Sequence, residues 1–134
     1  ICRDGEGVTK VVTIRVQGAS TTAAAKRVAD TIATSNLVKT ALFGEDANWG
    51  RIIAAIGRSG VAIDPNKVTV RFNDIVMVQR GVGTGLEAER KIAHVFKQKE
   101  FTITVQLGQG QAHAHMWTTD LSYDYVRINA SYRS

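Results

Sequence analysis

The chain has 134 residues, enough for one domain of ordinary size. It is 44% hydrophobic and 22% charged, a globular composition. No uninterrupted apolar run is long enough to span a bilayer, so no membrane segment is expected. Cys2 is the lone cysteine, which excludes an internal disulfide and an all-cysteine metal site. The net charge of +5, from 17 basic and 12 acidic residues, raises nucleic acid as a partner. The basic residues are dispersed, however. Lys26-Arg27, Arg90-Lys91 and Lys97 with Lys99 are the densest spots, and no basic run is interleaved with aromatics, so no nucleic-acid partner is expected. Arg3, Asp4, Gly5, Glu6 and Gly7 stand where the apolar core of a signal peptide would sit, which makes the cytoplasm the expected location.

Val12, Ile14 and Val16 alternate with Thr13, Arg15 and Gln17, the pattern of a half-buried strand that Gly18 ends. Ser20 is placed as the N-cap of a helix whose apolar stripe is Ala25, Val28, Ala29, Ile32 and Ala33. Leu37 to Phe43 reads as a short buried strand closed by Gly44. Asp46 or Asn48 then caps a second helix with Ile52, Ile53 and Ile56 on its buried side. Asp64-Pro65-Asn66 is a turn. Val68, Val70 and Phe72 alternate again, and Asn73-Asp74 is a hairpin turn into Ile75 to Gln79. Gly81, Gly83 and Gly85 lead to a third helix that buries Ala88, Ile92, Val95 and Phe96.

Phe101, Ile103, Val105 and Leu107 alternate with Thr102, Thr104 and Gln106. After Gly108-Gln109-Gly110, Ala112, Ala114 and Met116 alternate with His113, His115 and Trp117. These two runs are expected to form a hairpin. The whole chain, 1–134, therefore reads as a single α+β domain, with an antiparallel sheet of about five or six strands packed with about three helices. Ile1 opens directly before a charged, glycine-flanked segment, as though the chain were cut from a longer one.

Several segments could carry chemistry. Asp4-Gly5-Glu6-Gly7 sets two carboxylates on a glycine-flanked loop, suited to pairing with a ligand amine, although a solvated acidic loop is the plainer reading. Gly81-Val82-Gly83-Thr84-Gly85 precedes a helix as a phosphate cradle does, yet it lacks both the P-loop ending and the dinucleotide spacing. A plain glycine-rich connection fits it better. His113 and His115 share a strand face, with no third metal ligand nearby in sequence, so no metal site is expected. Thr118-Thr119-Asp120 and Ser122-Tyr123-Asp124 hold hydroxyls beside carboxylates, for which turn and cap roles are the default. Asp46-Ala47-Asn48-Trp49-Gly50-Arg51 gathers an acid, an amide, an indole and a guanidinium at a helix start. An anion site and a cap beside a buried Trp stand level there.

Taken together, the segments resemble the C-terminal part of the β chain of the ornithine acetyltransferases, also called glutamate N-acetyltransferases. The resemblance rests on Asp4-Gly5-Glu6-Gly7 with Thr9-Lys10, on Leu37-Val38-Lys39-Thr40-Ala41, and on Phe43 through Ile52. It continues in Glu87-Ala88-Glu89-Arg90 and in the run from Trp117 to Ser134, and it spans the chain in family order.

The resemblance implies a precursor that cleaves itself into α and β chains, with the new N-terminal threonine of the β chain as nucleophile. That threonine takes the acetyl group from N-acetylornithine and passes it to glutamate; some members also accept acetyl-CoA as a substrate. No cofactor is implied. The logic is a covalent acyl-enzyme, with oxyanion groups supplied by the α chain. Residue by residue, Glu6, Asn129 and Ser134 match the family's substrate-binding positions. Ser134 stands where threonine is usual; its hydroxyl and its terminal carboxylate are both candidate contacts for a substrate amine. Lys39, Asp46, Asn48 and Arg51 are candidates for a site or a chain interface. Ile1 is not threonine, so no catalytic residue is assigned in this chain, and alone it is expected to be inactive. The expected partners are the α chain and the preceding part of the β chain, in an α2β2 heterotetramer. The alternative is a non-catalytic ornithine- or glutamate-binding or assembly module.

Overall fold

A computed structural model of the chain describes residues 10–46 and 48–119. The elements run β1 (Val11–Ala19), α1 (Thr22–Ala33), α2 (Asn36–Phe43) and α3 (Trp49–Gly57), then a 3-10 turn (Pro65–Lys67). They continue with β2 (Thr69–Phe72), β3 (Ile75–Gln79), β4 (Val82–Gly83), α4 (Leu86–Phe96), β5 (Glu100–Gln106) and β6 (Ala112–Thr119). The strands form one six-stranded sheet in the order β4-β3-β2-β5-β1-β6. The α+β expectation holds. The sheet is antiparallel except for one interior pair, β1 and β5, which run parallel, and the described residues hold four helices.

Strand alternation sorts side chains onto two faces. Val12, Ile14 and Val16 of β1 lie level with Phe101, Ile103 and Val105 of β5, and all six are buried. Helix α1 covers this face with Ala25, Val28, Ala29 and Ile32. The alanines let the helix approach the sheet closely. Under α4, Phe96 packs against Phe72 and Phe101, with ring centroids 5.1 and 5.3 Å away. The other face carries Thr13, Arg15, Gln17, Thr102, Arg71, His113 and His115, polar residues that are exposed or half-buried.

Two sequence expectations are corrected. The first is the hairpin between the last two strands: β5 and β6 do not pair, because β1 lies between them. Ile14 faces Ile103 on one side and Met116 on the other. The Gly108–Gly110 connection crosses the end of β1, where the amides of Gln109 and Gly110 donate to the Gly18 carbonyl at 2.7 and 2.9 Å. Alternation identifies a strand with one dry face but does not identify its neighbour.

The second is Leu37–Phe43, which is a helix and not a strand. Ser35 caps it by accepting from the Val38 amide at 3.3 Å. Val38, Ala41 and Leu42 are buried on one side, while Leu37 and Phe43 remain exposed. A short apolar run is ambiguous between the two structures, and here the cap and the one-sided burial decide. At α1 the cap is Thr21, one residue beyond Ser20; its hydroxyl accepts from Ala24 at 3.0 Å.

Candidate functional site

The described chain begins and ends at one place. Val11, at the start of β1, is the register partner of Thr119, at the end of β6. Directly opposed residues in an antiparallel pair have Cα atoms about 4.5–5.5 Å apart. The segment preceding Lys10 and the segment following Thr119 therefore depart from neighbouring points. Glu6 is on the first, and Asn129 and Ser134 are on the second; all three lie outside the described residues. This end of β6 is held by Thr118, whose buried hydroxyl donates to the Ala33 carbonyl of α1 at 2.6 Å. Thr118, weighed as part of a hydroxyl–carboxylate cluster, thus serves as a structural tie.

Lys10 is 6% exposed, and its Nζ donates to Glu45 Oε2 at 3.0 Å. An ammonium this deep requires a charged or strongly polar partner. Glu45 comes from the connection between α2 and α3, part of the Phe43–Arg51 segment. The chain there wraps the C-terminus of α2: the Glu45 amide donates to Leu42 O at 3.3 Å and the Asp46 amide to Ala41 O at 2.9 Å. Glu45 sits at φ 55, a left-handed conformation unusual for a residue with a β-carbon. Sequence reasoning did not single out Lys10 or Glu45 as site residues. Lys10 follows the acidic loop, and Glu45 lies beside the Asp46–Arg51 cluster, but no local spacing joins positions 35 apart.

The four interface candidates separate on inspection. Asp46 and Asn48 line a groove of about 440 Å³ together with Trp49, Gly50 and Glu89 of α4. Asn48 occupies the N-cap position of α3, but its side chain makes no capping bond. Arg51 reaches back to α2 and donates to the Leu37 carbonyl at 3.0 Å. Lys39 is half-buried on α2 and does not line the groove. Glu89, from the Glu87–Arg90 stretch, joins Asp46 only through the tertiary fold.

The glycine-rich segment, expected to be a plain connection, instead carries the short strand β4, Val82–Gly83, paired with β3, and has a packing role as well. A β-carbon on Gly83 would come within 2.9 Å of Trp49 Nε1, so the segment is a seat for the indole. His113 and His115 are exposed on the open face of the edge strand, where His115 meets Trp117 edge-on at 5.1 Å. Among the described residues no group of three or more His, Cys, Asp or Glu side chains is placed to hold a metal. The open face also carries a polar basin of about 530 Å³ lined by Arg15, Gln17, Arg71, Asn73, Asp74, Thr102 and Thr104. No helix among the described residues is long and apolar enough to cross a membrane.

Fold and site together define a two-layer α+β module. Its helices cover one sheet face, and the first residue of β1 is paired with the last residue of β6. The chain belongs to the ArgJ family, whose model matches residues 1–134. It is 52% identical to the arginine biosynthesis bifunctional protein ArgJ of Syntrophotalea carbinolica, over all of this chain and 34% of that protein. It is also 52% identical to the ArgJ protein of Staphylococcus aureus, over all of this chain and 32% of that one. The chain thus spans about a third of the length of these curated relatives. The crystal structure of ArgJ from Bacillus halodurans superposes with a TM-score of 0.88 at 43% identity, covering 98% of this chain and 62% of that one.

Proposed function

We propose that this chain is the C-terminal portion of the β chain of an arginine-biosynthesis acetyltransferase. In this reading the whole protein moves an acetyl group from N-acetylornithine to glutamate. A threonine hydroxyl, supplied by a part of the protein beyond this chain, attacks the acetyl carbonyl. The amide C–N bond breaks, and ornithine leaves with the proton. The glutamate amine then attacks the acetyl-threonine ester and releases the threonine oxygen. Glu6 pairs with a substrate amine, while Asn129 and Ser134 supply polar contacts. The chemistry calls for no metal or resident cofactor, and acetyl-CoA serves as an alternative acetyl donor. The working form is an α2β2 assembly in the cytoplasm.

Family membership supports the acetyltransferase reading. The observation that supports this chain's share of it is the Val11–Thr119 pairing, which brings together the described residues nearest in sequence to Glu6 on one side and to Asn129 and Ser134 on the other. The test is to express the complete precursor, separate its chains and assay acetyl transfer from N-acetylornithine to glutamate. The expected result is transfer by the whole assembly and none by this chain alone. Ornithine binding by this chain, with no transfer by the assembly, would establish the non-catalytic module instead.

A further inference from the structure

We infer that the open face of the sheet holds a binding site for the phosphate group of a small ligand, built on Arg15 and Arg71 with Thr104 between them. The inference stands independently of the acetyltransferase reading above.

The case begins with register. Thr104 of β5 is the partner of Arg15 in β1 on one side and of Arg71 in β2 on the other, so the three side chains stand in one row on one face. Two strand spacings set the arginine Cα atoms about 9–10 Å apart, within the joint reach of two long side chains. All three line the basin of about 530 Å³. Among the described residues neither guanidinium has an ion pair or a hydrogen bond, although exposed Asp74 lines the same basin. Two like charges held on either side of one strand repel unless an anion joins them.

Thr104 supplies a second, independent observation. It is only 9% exposed, yet its hydroxyl has no hydrogen-bond partner among the described residues. No fully enclosed side-chain polar atom among those residues lacks a partner, so this hydroxyl opens onto the basin that it lines. A valine would suit the strand and the burial equally well without leaving a hydroxyl unpaired. Asn73 adds a further donor. Its side-chain oxygen accepts from the Thr102 amide at 3.0 Å, which fixes the carboxamide and leaves its NH2 group to donate.

Donors and charge together select the ligand. A phosphomonoester carries a charge of about −1.5 to −2 and three strong acceptor oxygens. A carboxylate carries one charge and two oxygens, which a single arginine satisfies bidentately. Two arginines flanking a hydroxyl, with an amide donor beside them, match the phosphate. The basin is also of the size that holds a small organic molecule, so there is room for the group that bears the phosphate.

The experiment titrates the complete processed protein calorimetrically with inorganic phosphate, and separately with glycerol 3-phosphate, at constant ionic strength. The wild type is expected to bind phosphate saturably, one ion per copy of this chain. Arg15→Gln and Arg71→Gln should each weaken binding about tenfold or more, the loss of one charge-assisted contact, and Thr104→Val about threefold. Lys91→Ala, on helix α4, should leave the affinity unchanged, which separates a site from a general loss of positive charge. Neither guanidinium supports a contact among the described residues, so both arginine variants are expected to keep the wild-type Tm. Tighter binding of glycerol 3-phosphate, lost in the same variants, identifies a phosphate ester as the ligand; tighter binding of the inorganic ion identifies free phosphate, and either supports the proposal. An absence of saturable phosphate binding by the wild type overturns it, as does unchanged affinity in the folded arginine variants or an equal loss in Lys91→Ala. Displacement of phosphate by equimolar glutamate overturns it in favour of a carboxylate.

Discussion

The two ends of β1 are held by different means. At the Gly18 end the backbone does the work: the amides of Gln109 and Gly110 close over the Gly18 carbonyl, and Gly18 itself adopts φ 72. A β-carbon there would meet the Gln106 side-chain amide and come within 2.8 Å of the Gly108 nitrogen. At the Lys10 end, beyond the ladder bonds of β1, the tie is a charged side chain reaching an exposed carboxylate. A strand end closed by backbone is fixed in shape. One closed by an ion pair can be tuned by substitution while the ladder remains intact. Glu6, the family-matched position upstream of Lys10, lies beyond the second end in sequence.

The largest effect expected from that contrast is at the backbone end. Gly18→Val forces a β-branched residue into a left-handed conformation and into occupied space, and should cost about 3 kcal/mol or more in stability. A urea titration would read this as a lowered midpoint. A midpoint unchanged from wild type would show that the closed end is not rigid. Thr118→Val keeps the shape of the side chain but leaves the Ala33 carbonyl without its donor, and is expected to cost about 1–2 kcal/mol in the same titration.

Lys10→Met is expected to cost less, about 1 kcal/mol, because the stranded Glu45 carboxylate is exposed enough to recover its hydration. If Lys10→Met proves more destabilising than Gly18→Val, the contrast between the ends is inverted. The smallest effect serves as the control. Lys91 and Glu87 form a surface pair on α4 at 3.7 Å, so Lys91→Ala should change stability by less than about 0.5 kcal/mol. A larger loss there would mean that exposed pairs count for more in this fold than the Lys10 comparison assumes.

Much of the architecture was legible in the residues. Period-two runs located β1, β2, β5 and β6, the Asn73-Asp74 turn located β3, and helical spacing located α1, α3 and α4. The Asn73-Asp74 turn is a hairpin as expected, with Asn73 at φ 52. Helix α2 was misread because Leu37 to Phe43 is short and mostly apolar, a composition that suits a buried strand as well as a helix. Of the candidate residues, Asp46 and Asn48 were named by motif and line the groove, while the family-matched Glu6, Asn129 and Ser134 lie outside the described residues. Lys10, Glu45 and Glu89 were not named as site residues, since each takes its place through a partner remote in sequence.

What the sequence determined by itself is which residues face the core, because burial imposes a period on each element, and which family the chain resembles, because its motifs run in order from end to end. Only the tertiary structure decided who neighbours whom. It inserted β1 between β5 and β6, seated Trp49 on Gly83 and buried Lys10 against Glu45. Periodicity reports the environment of a side chain averaged over one face, whereas a strand partner or an ion pair is chosen by long-range packing that no local spacing encodes.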